Sequence, residues 1–169
     1  DAALAAAREA TLSDLADSAP EARYLDIFKL KYDYHNVKAL LKAEAMDEDP
    51  AHLMMDMGRV PAEKLREAVS SGNLLDLPAR LAAAAAEARE VLDTTRDPQL
   101  SDIVLDRWCY QDMMDVADAT GSAFLRGYVQ IQIDGANLRS LVRTLRMGKS
   151  AEFLRGVLFD GGGIDEGSI

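Results

Sequence analysis

Apolar positions recur every three to four residues along most of the chain, and the segments that carry them are bounded by residues that start and stop helices. Tyr24, Ile27, Phe28, Val37, Leu40 and Leu41 share one broad stripe. Ser18, followed three residues on by Glu21 with Pro20 between them, forms a capping box that opens this helix, and the pattern carries it to about Met46. Residues 1–17, Ala- and Leu-rich with a polar flank, read as the end of a preceding helix.

Asp49 before Pro50 is a second start signal, and the short stretch Ala51 to Met57 runs to Gly58, which reads as a left-handed C-terminal cap. Val60 and Pro61 open a helix closed by Gly72, and Pro78 opens an Ala-rich one through about Thr94. Asp97 and Pro98 open the next, carrying Leu100, Ile103, Val104, Trp108 and Met113 toward Val116. After Gly121 and Ser122, residues 123–147 form one long amphipathic segment. Its locally β-branched stretch from Tyr128 to Ile133 resembles a strand, but the length and Gly148 argue for helix. Ser150 and Glu152 open a last short helix through Leu158, before Gly161, Gly162 and Gly163.

Composition agrees with this all-α reading. Aromatics are 6% of 169 residues while Ala, Leu, Met, Glu and Arg abound, and unbranched side chains lose little freedom on a helix. A formal net charge of -10 argues against binding nucleic acid or an anionic membrane surface directly. No apolar run is long enough to span a bilayer, so membrane attachment is expected only through a partner. The one cysteine, Cys109, reads as a buried, inert thiol in a reducing compartment. The chain starts at Asp1 inside a helical stretch and stops soon after a glycine cluster, so both ends are expected to be cut edges of a larger protein. Apolar faces there would favour self-association.

The strongest feature is an internal repeat at an offset of 101 residues. Asp33, Asn36, Val37, Lys38, Leu40, Leu41 and Lys42 align with Asp134, Asn137, Leu138, Arg139, Leu141, Val142 and Arg143. Downstream the offset becomes 104: a Leu-rich short helix leads to Gly58, Val60, Glu63 and Leu65 in one copy, and Phe153 to Leu158 leads to the glycines, Ile164, Glu166 and Ile169 in the other. Asp33 and Asn36 are three apart on one helix face, as are Asp134 and Asn137. Polar pairs on packed helices need partners, so each is expected to tie its helix to a neighbouring backbone or basic side chain, with Lys38 and Arg139 as candidates.

With the run Tyr32, Asp33, Tyr34, His35 and Asn36, the basic-aliphatic helix after it and the later Gly-aliphatic turn, the chain resembles the C-subunit family of V/A-type ATP synthases, whose eukaryotic V-ATPase equivalent is the d subunit. The resemblance implies an all-helical, internally repeated bundle that is a fragment of a pseudo-threefold funnel. It divides the chain into the end of a preceding repeat (1–17), a complete repeat (18–121) and the start of the next (122–169). It also implies a non-catalytic part of the rotor that is cytoplasmic and peripheral to the membrane, with central-stalk subunits and the proteolipid ring as partners. The complex would couple ATP synthesis or hydrolysis to proton or sodium transport. A helical scaffold module of an unrelated assembly is the alternative.

No catalytic, cofactor or metal residues are assigned. Gly148, Lys149 and Ser150 match the end of a P-loop, but the first glycine of that motif would fall at Arg143 and a helix precedes it, so these residues read as a helix cap. His52 with Asp49 and Asp56 reads as a solvated face rather than a metal site or the centre of a carboxylate enzyme. His35 reads as a core or interface histidine, the methionines as core filling, and Asp47, Glu48 and Asp49 as an open loop.

Overall fold

A computed structural model describes Ala7 and residues 23–164. The expected helix end in residues 1–17, the capping box at Ser18 and Glu21, and Glu166 and Ile169 of the repeat lie outside the described residues. Six α-helices, and no strand, are found among the described residues: α1 (Arg23–Met46), α2 (Ala62–Ser71), α3 (Ala79–Thr95), α4 (Pro98–Thr120), α5 (Ala123–Arg146) and α6 (Ala151–Val157). A 3₁₀ turn at Pro50–His52 follows α1.

Helix ends follow the local chemistry. Gly72 ends α2 at φ 73° and Gly148 follows α5 at φ 61°, left-handed conformations that a residue without Cβ adopts freely. Ser122 and Ser150 cap α5 and α6 by accepting the N–H of Leu125 and Phe153. Gly148, Lys149 and Ser150 therefore form the junction between two helices. Two expectations need correction. The segment after Asp49 is only a single 3₁₀ turn, not a helix to Met57, and Gly58 has no positive φ. Both departures have one cause: the Asn36 side chain of α1 takes up the Met55 backbone groups and draws the loop onto the helix.

The chain divides into two compact units, the boundary falling inside α4 between Asp112 and Met113. In the first, α1 packs against α2 and α3. Ile27, Leu30, Val37 and Leu41 of α1 are buried, as are Leu65 and Val69 of α2. From α3 a single stripe of Leu81, Ala84, Ala85, Ala88 and Leu92 turns inward, its small alanines permitting close approach of a neighbouring element. The α4 residues Leu105 and Cys109 are buried too. The side chains of Lys38 and Lys42 pair with Asp106 and Asp102 of α4, which places that helix antiparallel beside α1. In the second unit, Leu125, Val129 and Ile133 of α5 are buried, as are Leu154 and Val157 of α6 and Phe159 beyond it.

Burial of Leu65 is complete, whereas Leu75 in the loop before α3 is almost fully exposed. Leu65→Ala should therefore lower unfolding stability by about 2–5 kcal/mol, and Leu75→Ala should change it by less than about 0.5 kcal/mol. Urea midpoints of the two variants check this contrast.

Candidate functional site

Each unit contains a helix-to-loop clamp, built from two polar side chains one turn apart on a long helix. In the first, the Asn36 amide nitrogen donates to the Met55 carbonyl at 2.7 Å, and its oxygen accepts the Met55 N–H at 2.8 Å. One primary amide thus satisfies both backbone groups of a residue in an irregular segment. Because those groups are committed to Asn36, Met55 cannot join a helical ladder, which is why the expected helix to Met57 does not form.

Asp33, fully buried, completes the clamp. Its Oδ1 accepts the Val60 N–H at 3.1 Å and its Oδ2 the Arg59 N–H at 3.3 Å. Oδ2 also meets the Arg59 Nε at 3.3 Å. The loop approaches so closely that a Cβ on Gly58 would lie 2.0 Å from Asp33 Oδ1. Glycine is needed here for closeness, not for a left-handed backbone.

The second unit repeats the arrangement. Asn137 donates to the Phe159 carbonyl at 2.9 Å and accepts its N–H at 2.8 Å. Asp134 accepts the N–H groups of Gly163 and Ile164, both at 3.1 Å. A Cβ on Gly162 would sit 2.2 Å from Asp134 Oδ1. Gly58, Arg59 and Val60 correspond to Gly162, Gly163 and Ile164 at the offset of 104 read in the sequence.

Among the described residues, the first clamp alone extends into an ion network. Arg59 Nη2 reaches Asp112 at 3.0 Å, and the same carboxylate oxygen accepts the Tyr34 hydroxyl at 3.1 Å. Burial works against the Arg59 charge, but Asp112 and Asp33 outweigh it and hold the guanidinium pKa above its usual value. Burial pushes the Asp33 carboxyl above the ordinary carboxylate range, while the Val60 N–H and Arg59 pull it back. Tyr34 is raised by burial and by Asp112, so its hydroxyl keeps its proton and donates. At the aligned positions the second unit has Gly135 for Tyr34 and Gly163 for Arg59, and neither can take part in such a network.

Of the residues singled out from the sequence, Asp33 and Asn36 meet one loop and Asp134 and Asn137 another. Lys38 does not join its clamp. It pairs with Asp106 at 2.5 Å, and Arg59 is the basic residue at Asp33. Arg139 is exposed. His35, expected in a core or interface, is exposed, with Nε2 3.0 Å from the Leu53 carbonyl. Asp49 caps the 3₁₀ turn and Asp56 accepts the Ala62 N–H, so the two carboxylates near His52 serve backbone groups. Among the described residues, no group of three or more His, Cys, Asp or Glu is arranged to hold a metal. Cys109 is buried and its thiol is pushed up to about 12 by desolvation and then by Asp106.

The profile of the ATP synthase (C/AC39) subunit family matches residues 1–168. The chain is 26% identical over 155 residues to the C subunit of the V-type sodium ATPase of Enterococcus hirae, covering 92% of this chain and 47% of that relative. It is 27% identical over 138 residues to the C subunit of the V-type ATP synthase of two Thermus thermophilus strains, covering 77% of this chain and 42% of theirs. The chain therefore spans a little under half the length of these curated relatives. No solved structure matches it.

Replacing Asn36 by Leu strips both Met55 backbone groups of their partner, and each unpaired group costs about 1–3 kcal/mol when it stays buried. Asn36→Leu and Asn137→Leu should each lower unfolding stability by roughly 2–5 kcal/mol. Gly58→Ala should also destabilise, by displacing the Asp33 carboxylate. Unchanged urea midpoints would show that the clamps do not hold the loops. Cys109, protonated and buried, should react with a thiol reagent at pH 8 far more slowly in the native protein than in urea. Equal rates would contradict that burial.

Proposed function

The chain belongs to the ATP synthase (C/AC39) subunit family, and from that premise we propose that it is a non-catalytic part of a V/A-type rotary ATPase, linking the central stalk to the proteolipid ring. The observation that carries this reading is the family match across residues 1–168. In this role the protein contributes shape and stiffness, while ATP synthesis or hydrolysis and its coupling to proton or sodium transport belong to the complex as a whole.

The architecture supports such a role. A linker under torque must resist relative movement of its elements, and two long helices here each hold an irregular loop by four or more hydrogen bonds from one face. The clamps join residues 19 to 30 positions apart, so that helix and loop share one rigid frame. Among the described residues no helix is long and apolar enough to cross a membrane. Attachment to the ring would then be through protein surfaces on the cytoplasmic side.

A tagged copy of the protein, purified from its own cells after mild detergent extraction, should bring central-stalk subunits and proteolipid with it, identified by mass spectrometry. An intact, folded bait recovered with neither would overturn the linker assignment.

A further inference from the structure

Two aspartates of this chain are followed directly by glycine, at Asp134–Gly135 and Asp160–Gly161. Such a pair is chemically vulnerable, because a glycine amide has no side chain to keep it from the carboxyl carbon of the preceding aspartate. The fold treats the two pairs differently.

Asp134–Gly135 lies inside α5. In a helix the Cα–Cβ bonds tilt toward the N-terminus, away from the following amide, and that amide is committed to the helical ladder. The Asp134 carboxylate is also engaged, accepting the N–H groups of Gly163 and Ile164, both at 3.1 Å. Asp160–Gly161 lies beyond the end of α6 in irregular backbone, with both residues exposed. Among the described residues, neither the Asp160 carboxylate nor the Gly161 N–H has a hydrogen-bond partner. Gly161 has φ 93°, which L side chains rarely adopt, so the backbone path itself calls for glycine after Asp160. At the offset of 104 the first unit has Asp56 followed by Met57, and a residue with a side chain hinders the same attack. The Asp56 carboxylate there accepts the Ala62 N–H at 2.9 Å.

We propose that Asp160–Gly161 is a site of spontaneous isoaspartate formation, and that this modification loosens the second clamp. The Gly161 nitrogen bonds to Asp160 Cγ and gives up its proton, while the carboxyl hydroxyl leaves as water and a succinimide ring closes. Water then opens the ring. Addition at Cγ restores aspartate, whereas addition at the main-chain carbonyl carbon leaves the chain running through Cβ and Cγ, with the former main-chain carboxyl as the side group. The water lost is regained, so the mass is unchanged and nothing is oxidised or reduced. The new linkage lengthens the backbone between Phe159, held by Asn137 at 2.8 Å, and Gly163, held by Asp134 at 3.1 Å. Hydrogen bonds weaken steeply as donor and acceptor move out of line, so both anchors are strained by the added length. The inference does not depend on the rotary assignment.

The test incubates the 169-residue protein for weeks in warm neutral buffer, with and without urea, and then digests it with trypsin. Cleavage after arginine puts the two pairs on separate peptides, 127–139 and 156–169. Isoaspartate is read on each with an isoaspartyl methyltransferase and labelled S-adenosylmethionine. In the native protein, label on 156–169 should exceed that on 127–139 roughly tenfold or more, and in urea the two should be alike. Asp160→Glu, whose longer side chain must close a larger ring more slowly, should remove the label from 156–169. In the modified fraction, native hydrogen exchange should be faster at Phe159, Gly163 and Ile164 and unchanged at Met55 and Val60. Absence of label on 156–169, equal label on both peptides of the native protein, or label that survives Asp160→Glu would overturn the site. Unchanged exchange at Phe159 and Gly163 in the modified fraction would overturn the loosened clamp.

Discussion

A single asparagine amide, turned outward from a helix onto the backbone of one loop residue, organises each unit. Loops that pass close to a helix carry N–H and C=O groups that neither a ladder nor full solvent satisfies, and leaving both unpaired costs about as much as a large core truncation. A primary amide presents an N–H donor and a carbonyl acceptor side by side, at the spacing a residue's own C=O and N–H need. Asn36 and Asn137 therefore fix not merely that the loop is near, but which residue of it is near: Met55 in one unit and Phe159 in the other. Once that residue is held, the next turn of the loop falls against Asp33 or Asp134, and a glycine is required where the backbone passes the carboxylate.

The two clamps differ in what lies behind them. In the first unit, Arg59 donates to both Asp33 and Asp112, and Asp112 also accepts the Tyr34 hydroxyl, so each buried polar group of the network has a partner. Buried ions are tolerated when they are paired and hydrogen-bonded in this way, and removing one member leaves its neighbour uncompensated. The second unit avoids that dependence. Asp134 sits closer to solvent and meets backbone N–H groups, with glycine at the positions of the arginine and tyrosine. The same loop geometry is thus reached by a network in one case and by backbone donors in the other.

Much of this is legible in the sequence because it depends on side chains at fixed offsets. Asp33 and Asn36 match Asp134 and Asn137 at one spacing, the glycines match at another, and prolines and serines mark helix starts. The partners of the asparagines are not legible. An amide that bonds to backbone groups places no demand on the loop residue's side chain, so Met55 and Phe159, though related by the same offset of 104, share no residue type that marks them as its partners. Gly58 has the sequence context of a helix cap because glycine serves two needs, positive φ and close approach, and sequence does not distinguish them. Lys38 is the basic residue nearest to Asp33 downstream on its own helix, yet residues five apart do not share a helix face as residues three or four apart do. Arg59, distant along the chain but adjacent to the clamped loop, takes the place instead.

Family membership and the clamps bear on function at different levels. Membership places the chain in the ATP synthase (C/AC39) subunit family, and the linker role proposed above requires a part that does not shear internally. The clamps supply a physical means of resisting shear, since sliding a helix by one residue would move its amide about 1.5 Å along the axis and break both bonds to the loop together. Nonpolar packing alone has no such sharp register, because dispersion contacts exchange for similar ones on sliding. A part built to carry load can place much of its core in apolar contact, but it needs directional contacts at the points where elements would slip. Asn36 and Asn137, each one turn beyond a carboxylate on the same helix face, occupy such points.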